Sequence, residues 1–464
     1  MPTVASTARV YTDTTGTYAE VPILLTPSGT LLPLLDYCVS RQHDRSISWM
    51  KKLVQAVGLF LDYLDANPNE PQHWHLYRNF AQKLYAGTFS LETGLDPSYL
   101  CWEVRDWKSS NSIQIQLTDF FNWLGQTNTS ASLLNPRYEG SIYDKKLDYA
   151  AYIYRRNSAF LGHTWAVNPR TEHLTSFLTR PKQRVATHCK EPPEFPSDRF
   201  EELLFKGFRV GGRYDYRGML ITLLLHGAGF RDSEPFHLYF ADVHRDPMEP
   251  GSALVLIHHP EIGIAPDDWR DEKGRQKRGT RRSYLTNKWG LLPRTVITGR
   301  RAAGWKNPKL DGDYYMRAWW FEPAYGKLFL QIWERYIEQA VMIERNHPFA
   351  FVNLDREPVG GMYTIDTFRA CHAAAVRRLN LPYGKLHGTT EHGHRHSYAQ
   401  RLRRAGISEK LLQTFLHHKS IDSQAVYTTP TTSESLLALS QAHEHMRIRN
   451  LGSALPNDLT ILEE

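Results

Sequence analysis

The segment 390–430, TEHGHRHSYAQRLRRAGISEKLLQTFLHHKSIDSQAVYTTP, decides how this chain is interpreted because it combines clustered histidines with helical spacing. On a strand, His392, His394 and His396 would lie on one side and could share a metal ion. The following residues, SYAQRLRRAG, have helical spacing and a terminating glycine, so a helix is favoured. Alternate residues of a helix point about 200° apart, so no metal site or other cofactor is expected here.

On a helix, a different pair of side chains comes together. His392 and Arg395 are three residues apart and share a face. A second predicted helix ends at LHH (416–418), and Tyr427 follows nine residues after the last of these histidines. Far upstream, in HGAGFRDSEPF, Arg231 comes just after a helix broken by glycine. An arginine, an HxxR pair, a histidine and a tyrosine therefore follow one another in this order.

This order resembles the tyrosine recombinase (phage integrase) family, in its mobile-element integrase type. The family's first arginine lies in a TGxRxSEL turn, which GAGFRDSEPF matches with Arg231, and Glu234 then matches the family's acidic helper. The family's LGH reads LHH here, so His418 matches the histidine and His417 replaces the glycine. The resemblance implies a nucleophile at Tyr427 and catalytic roles for Arg231, His392, Arg395 and His418.

The chemistry that the resemblance implies explains why these residue types are needed. Phosphoryl transfer without a metal requires fixed cations around the non-bridging oxygens, and two arginines supply forked, permanently charged donors. Histidines can donate to the phosphate or move protons near neutral pH. A phenol with a reference pKa of about 10 must be activated by such neighbours. Its attack gives a covalent 3′-phosphotyrosine, which a second DNA end can reverse without ATP.

The resemblance also implies a general acid, because the leaving 5′ oxygen needs a proton. In the family this acid is a lysine on a β-hairpin turn. Lys306 is favoured because it lies shortly before the predicted strand YYMRAWWF, whereas Lys309, Lys277 and Lys288 remain alternatives. The region between 260 and 313 is longer than the family's usual tight hairpin.

A strongly basic run lies between Lys273 and Arg301, with ten lysines or arginines and no acidic residue. One interpretation is a solvated, disordered loop. Because Trp289 lies within the run and Trp305 follows it, in a domain expected to act on DNA, phosphate contact is at least as well supported. The predicted DNA-binding residues are Lys273, Arg275, Lys277, Arg278, Arg281 and Arg282.

The composition fits a globular DNA-binding protein. Formal charge is +7 and the sequence pI is near 9.0, which favours a polyanionic partner where the charge is clustered. The four cysteines are scattered without a CxxC pair, which argues against a disulfide framework or a zinc ribbon. No signal peptide is recognisable, and no apolar run reaches the roughly 18 residues that a membrane span needs. A cytoplasmic, nucleoid-associated location without membrane attachment is expected.

The pattern along the chain predicts a mainly α fold with a small antiparallel β-sheet. Residues 1–40 are expected to be an extension of short strands and turns, and 41–180 a helical core-type DNA-binding domain. A proline-rich linker (181–197), a mixed α/β catalytic domain (198–432) and a C-terminal helix and tail (433–464) follow. Three segments, PFHLYFADV, GSALVLIHH and YYMRAWWF, are expected to be strands. Whether residues 1–40 bind separate arm sites is left open.

The resemblance implies double-stranded DNA as the partner and a homo-oligomer, a tetramer on paired sites, with accessory DNA-bending proteins possible. Two rival functions remain. A type IB topoisomerase uses the same chemistry but relaxes DNA as a monomer. A non-catalytic DNA-binding protein would use the basic helices for binding alone.

Overall fold

The computed structural model describes residues 3–11, 14, 18–69, 73–90, 92–127, 134–135, 142–158, 179, 181–182 and 192–419. The chain divides into two compact units, Met1–Ala186 and Thr187–Glu464. The division falls within the predicted linker 181–197. The predicted C-terminal helix and tail, 433–464, lie outside the described residues.

The first unit opens with an antiparallel sheet formed by β1 (Val4–Tyr11), β2 (Tyr18–Thr26) and β3 (Gly29–Thr30), in that order. In the described part of this unit, five helices follow: α1 (Leu32–Ser40), α2 (Ile47–Ala66), α3 (His73–Ala86), α4 (Trp107–Thr127) and α5 (Ile142–Ser158). The Ser46 side chain caps α2 by accepting from the Trp49 backbone N–H. The helix α1 lies where only strands and turns were predicted, and Pro33 in its first turn suits a helix start.

The sheet and the helices of this unit share one hydrophobic core. From β2, Val21, Ile23 and Leu24 are buried with Leu53 of α2 and Leu117 of α4. Such burial contributes roughly 1.5–3 kcal/mol for each large apolar side chain. The strand β2 and the helix α1 therefore contribute to the same core as the longer helices.

The second unit begins with short pieces: a turn of α6 (Phe200–Glu202), β4 (Arg209–Val210) and β5 (Arg213–Tyr214). Its main helices are α7 (Tyr216–Gly227), α8 (Arg281–Trp289), α9 (Pro323–Ala340), α10 (Ile365–Arg378), α11 (Glu391–Arg404) and α12 (Glu409–Phe415). A three-stranded antiparallel sheet has the order β6 (Val243–Arg245), β7 (Ala253–His258), β8 (Tyr315–Arg317).

The segment PFHLYFADV departs from its predicted strand. A 3₁₀ helix covers Glu234–His237, a second covers Phe240–Asp242, and the strand β6 begins only at Val243. Pro235 fixes the first turn, and the Asp242 carboxylate accepts from the Tyr239 backbone N–H at 2.8 Å. The alternation of apolar residues therefore does not produce a strand here.

The predicted fold class is confirmed: the described residues form a mainly helical structure with small antiparallel sheets. The helix α7 is central to the second unit, because its residues from Gly218 to Gly227 are all buried. No helix in the described ranges is long and apolar enough to cross a membrane.

Candidate active site

The histidine-rich segment forms the helix α11, as predicted. The rings of His392 and His396 lie 4.4 Å apart on one face, whereas His394 is fully buried. The three histidines therefore do not converge on one point. Within the part of the chain that the structure describes, no group of three or more His, Cys, Asp or Glu side chains could hold a metal ion.

The side chain of Arg395 brings three segments of the site together. It is 1% exposed, and it donates to the carbonyl oxygens of Gly229 and, at 2.7 Å, of Leu416. The first carbonyl lies two residues before Arg231, and the second lies two residues before His418. Both candidate residues are thereby held against α11, which carries His392 and Arg395.

The main chain before Arg231 needs glycine. Gly229 has φ +70°, and a Cβ at this position would collide with the ring of Tyr398 on α11. Glycine thus allows the turn to approach α11 closely.

The carboxylate of Glu234 fixes Arg231. It accepts from the Arg231 backbone N–H and from the Nη1 of the same residue, each at 2.7 Å. Glu234 is 0% exposed, whereas the Arg231 side chain is 16% exposed. The pair is not a simple solvent-exposed ion pair, because its acidic partner is buried. Glu234 therefore orients a guanidinium that still reaches the protein surface.

The two candidate histidines share the electrostatic influence of these arginines. Burial, followed by the charges of Arg395 and Arg231, lowers the pKa of His418 to about 3. Burial and the charge of Arg395 also lower the pKa of His392. The charges of Lys306 and Arg231 lower it further. Both imidazoles are therefore neutral at pH 7 in the DNA-free protein. A bound phosphate, being negative, would raise both pKa values.

The four candidate lysines differ in their surroundings. Lys306 is exposed and lies within electrostatic range of His392, since its charge is one of those that lower the pKa of that imidazole. Lys288 donates to Asp268 at 2.8 Å, and this carboxylate outweighs burial and raises the pKa of Lys288. Lys277 lies over the ring of Trp269, 5.5 Å from its centroid. These contacts favour Lys306 over Lys277 and Lys288.

Lys309 lies in the same loop as Lys306, and its backbone N–H donates to the His417 carbonyl at 3.1 Å. The loop that carries both lysines therefore touches the segment that carries His418. His417, which stands where the resemblance expects glycine, has the left-handed φ of +52°.

One member of the predicted DNA-binding set, Arg281, is buried, unlike the others. Arg281 is 2% exposed, and its guanidinium forms a bidentate pair with Asp242, with Nη1 to Oδ2 at 2.9 Å. Its Nε donates to the Ile264 carbonyl at 3.0 Å, and the guanidinium lies 4.0 Å from the centroid of the Tyr239 ring. A side chain so enclosed stabilises the fold and does not reach a phosphate.

The other members of the predicted set are exposed. Arg275 pairs with Asp271 at 3.0 Å, and Arg282 pairs with Glu261 at 2.9 Å. The region is ordered, with α8 preceded by a bridge between Arg270 and Gln276. The exposed residues of the set are Lys273, Arg275, Lys277, Arg278 and Arg282.

A buried network of polar side chains was not predicted from the sequence. His394 Nδ1 lies 3.2 Å from Nδ1 of His226 on α7, and its Nε2 lies 2.8 Å from Nε2 of His372 on α10. Glu391 lies 3.4 Å from His372 Nδ1 and accepts from the Tyr383 hydroxyl at 2.9 Å. These side chains tie α7, α10 and α11 together. The only signal in the sequence was that His394 faces away from His392 on a helix.

The predicted nucleophile, Tyr427, lies outside the described residues, which end at 419 on this side of the chain. The candidate catalytic and supporting residues that the structure describes are Arg231, Glu234, Lys306, His392, Arg395 and His418.

No protein-family model and no curated protein matches this sequence. Among solved structures, a complex of the XerH site-specific recombinase bound to difH substrate is similar, with 14% identity and a TM-score of 0.47, covering 88% of this chain and 83% of that one. The Tn1549 transposon integrase in complex with transposon right end DNA has 15% identity and a TM-score of 0.45, covering 88% and 98%. A lambda integrase dimer bound to a COC′ core site has 12% identity and a TM-score of 0.40, covering 86% and 94%. At these values the likeness by itself assigns no activity.

Proposed function

We propose that this chain is a site-specific DNA recombinase of the tyrosine type, which cleaves and rejoins DNA strands through a covalent 3′-phosphotyrosine. The observation that carries the proposal is the convergence around Arg395. This residue binds the carbonyls next to Arg231 and His418, while His392 stands three residues away on the same helix. Four of the expected site residues, from three segments of the sequence, are therefore linked through Arg395.

The roles follow from the chemistry of a phosphodiester. Arg231 and Arg395 supply the positive charge that stabilises the transition state, and Glu234 holds Arg231 in place. Tyr427 attacks the phosphorus through its Oη, and its proton passes to a neutral imidazole, for which His392 and His418 are the candidates. The bond from phosphorus to the 5′ oxygen breaks as the Lys306 ammonium donates a proton to that oxygen. No ATP is needed, because the phosphotyrosine conserves the bond energy, and the fixed charges of Arg231 and Arg395 supply the stabilisation that a metal ion would otherwise give.

The partner is double-stranded DNA, which the exposed basic residues between Lys273 and Arg282 would contact through its phosphates. We extend the proposal to a homo-tetramer acting on paired sites of a mobile element. The length of the chain between 260 and 313 favours this type over a short housekeeping recombinase.

The decisive experiment uses nicked suicide DNA, which traps a covalent intermediate. The wild type is expected to give an adduct that survives denaturation, and Tyr427→Phe is expected to give none. Without an adduct from the wild type, or with an undiminished one from Tyr427→Phe, the chain would instead be a non-catalytic DNA-binding protein or use another nucleophile.

The same preparation separates the two enzymatic possibilities. Strand exchange between two duplexes supports the recombinase. Relaxation of supercoiled DNA, with adduct but without strand exchange, would favour a type IB topoisomerase.

A further inference from the structure

His417 combines a left-handed backbone conformation with a buried side chain that makes several contacts. It has a left-handed φ of +52°, where glycine is the unstrained choice, yet it is only 1% exposed. Its ring stacks on Phe230 with centroids 5.5 Å apart and planes 15° apart. Its Nε2 lies 3.1 Å from Oδ2 of Asp311. A strained backbone that persists in a buried position is held by its contacts.

Those contacts reach each segment of the proposed site. Phe230 directly precedes Arg231, and Leu416, which accepts from Arg395, directly precedes His417. On the other side, the His417 carbonyl accepts from Lys309, in the loop that carries Lys306. A single residue thus touches the neighbours of both arginines and of the lysine loop.

Asp311 ties this contact to the sheet. Its Oδ2 also accepts from the backbone N–H of Arg317, on β8, at 2.7 Å. Burial opposes ionisation of this carboxyl, but its hydrogen bonds from His417 and from the backbone of Arg317 hold the pKa below its usual value. The loop from Lys306 to Asp311 is therefore hydrogen-bonded to β8 through Asp311. It is also bonded to His417 through Lys309 and Asp311.

We propose that His417, together with Asp311, is a positioning residue that sets the Lys306 loop against the scissile phosphate. The inference rests on the proposed recombinase function and adds to it. His417 itself touches no reacting atom. It acts through Lys306, whose ammonium must reach the 5′ oxygen at the moment when the bond to phosphorus breaks. A displacement of the loop by about 1 Å would impair this proton transfer.

The test compares His417→Gly with the wild type on two nicked substrates. One contains the normal 5′-bridging oxygen, and the other contains sulfur at that position. A thiolate is a far weaker base than an alkoxide, so sulfur leaves without a proton from the protein. Glycine suits φ +52°, so this variant removes the side chain and its contacts without straining the backbone.

His417→Gly is expected to cleave the oxygen substrate roughly 10- to 100-fold more slowly, part of the 10²–10⁴-fold that a general acid contributes. On the sulfur substrate it should lie within about 3-fold of the wild type, because Lys306 is then dispensable. Lys306→Ala should show the same selective rescue. Asn380→Gly is the matched control, since this exposed residue has a φ of +56° and is not one of the residues proposed for the site.

The acidic partner gives an independent approach if His417→Gly folds poorly. Asp311→Ala removes the acceptor, and should behave like His417→Gly, with the double variant little worse than either. Asp311→Asn keeps an oxygen for His417 and for Arg317, so a smaller loss is expected.

Two results would overturn the inference: equal losses on oxygen and sulfur, or no loss on either. A wild type that cleaves neither substrate would instead refute the proposed function. An active wild type with a fully active His417→Gly would refute only the positioning role.

Discussion

Two adjacent arginines, Arg281 and Arg282, are expected to respond to the same substitution in opposite ways. Arg281 is 2% exposed and pairs with Asp242, which is 3% exposed. Arg282 is 55% exposed and pairs with Glu261 at the surface. Substituting each by methionine therefore separates a structural arginine from one proposed to contact DNA.

The magnitude for Arg281→Met follows from the uncompensated charge that it leaves. Removing one partner of a buried ion pair costs about 3–5 kcal/mol. The Asp242 carboxylate keeps one hydrogen bond, from the Tyr239 backbone N–H at 2.8 Å, so the lower end, about 3 kcal/mol, is expected. Arg282→Met removes an exposed pair, for which the loss of stability is about 0–1 kcal/mol.

DNA binding should show the reverse order. If Arg282 contacts one phosphate, Arg282→Met lowers the slope of log affinity against log salt by about 0.9. Arg281→Met, measured below its unfolding transition, should keep the wild-type slope. Urea unfolding and fluorescence anisotropy on a labelled duplex at several salt concentrations provide both measurements.

Unfolding of Arg281→Met at the same urea concentration as Arg282→Met would refute the structural role of Arg281. A lower salt slope for Arg281→Met alone would refute the assignment of the DNA contact to Arg282. The variant Arg281→Met with Asp242→Leu adds a control, because removing both charges should recover part of the lost stability.

Three further results are expected. Glu234→Gln should slow cleavage about 10- to 100-fold, since Arg231 loses its buried carboxylate partner. Its DNA affinity, measured by anisotropy, should stay within about 3-fold of the wild type, and a loss of affinity as large as the loss of rate would contradict this. DNA binding should take up protons at about pH 5, because a bound phosphate raises the pKa values of His418 and His392. A phosphate about 5 Å away at an effective dielectric of 20 stabilises each imidazolium by about 3 kcal/mol, which raises the pKa by about 2 units. Calorimetry in buffers of different ionisation enthalpy measures this uptake, and proton release would refute it. Burial lowers the pKa of His237 to about 3 and those of His226 and His394 well below the ordinary value. The contribution of these neutral histidines to the free energy of unfolding is therefore complete above about pH 6.5 and declines below it, by about 1.4 kcal/mol per pH unit for each group. A urea midpoint that stays constant from pH 7 to 5 would be inconsistent with neutral buried histidines.

Sequence periodicity predicted most helices, because an apolar face at helical spacing is a local property. The helix α2 carries Met50, Leu53 and Val57 on its buried face, and α11 has the helix expected from SYAQRLRRAG. The strands β7 and β8 also lie where strands were predicted. PFHLYFADV failed because the proline and the Asp242 side chain favour turns, which outweigh alternation.

The part of the site that could not be predicted depends on distant partners. Arg281 looks like its basic neighbours in the sequence, but its acidic partner, Asp242, lies 39 residues away. His417 could be recognised as a departure from LGH, yet nothing local indicated its contact with Asp311, 106 residues upstream. The position of Tyr427 stays a prediction of the resemblance.

The shared core of the first unit limits how this chain can be shortened or rearranged. A chain that began after β3 would lose the apolar side chains of β2 from the core that they share with Leu53 and Leu117. Removal of the sheet is therefore expected to destabilise the helices of this unit as well. On β1, substitutions are expected to be tolerated best on the face opposite the core, where Thr7 and Arg9 are exposed.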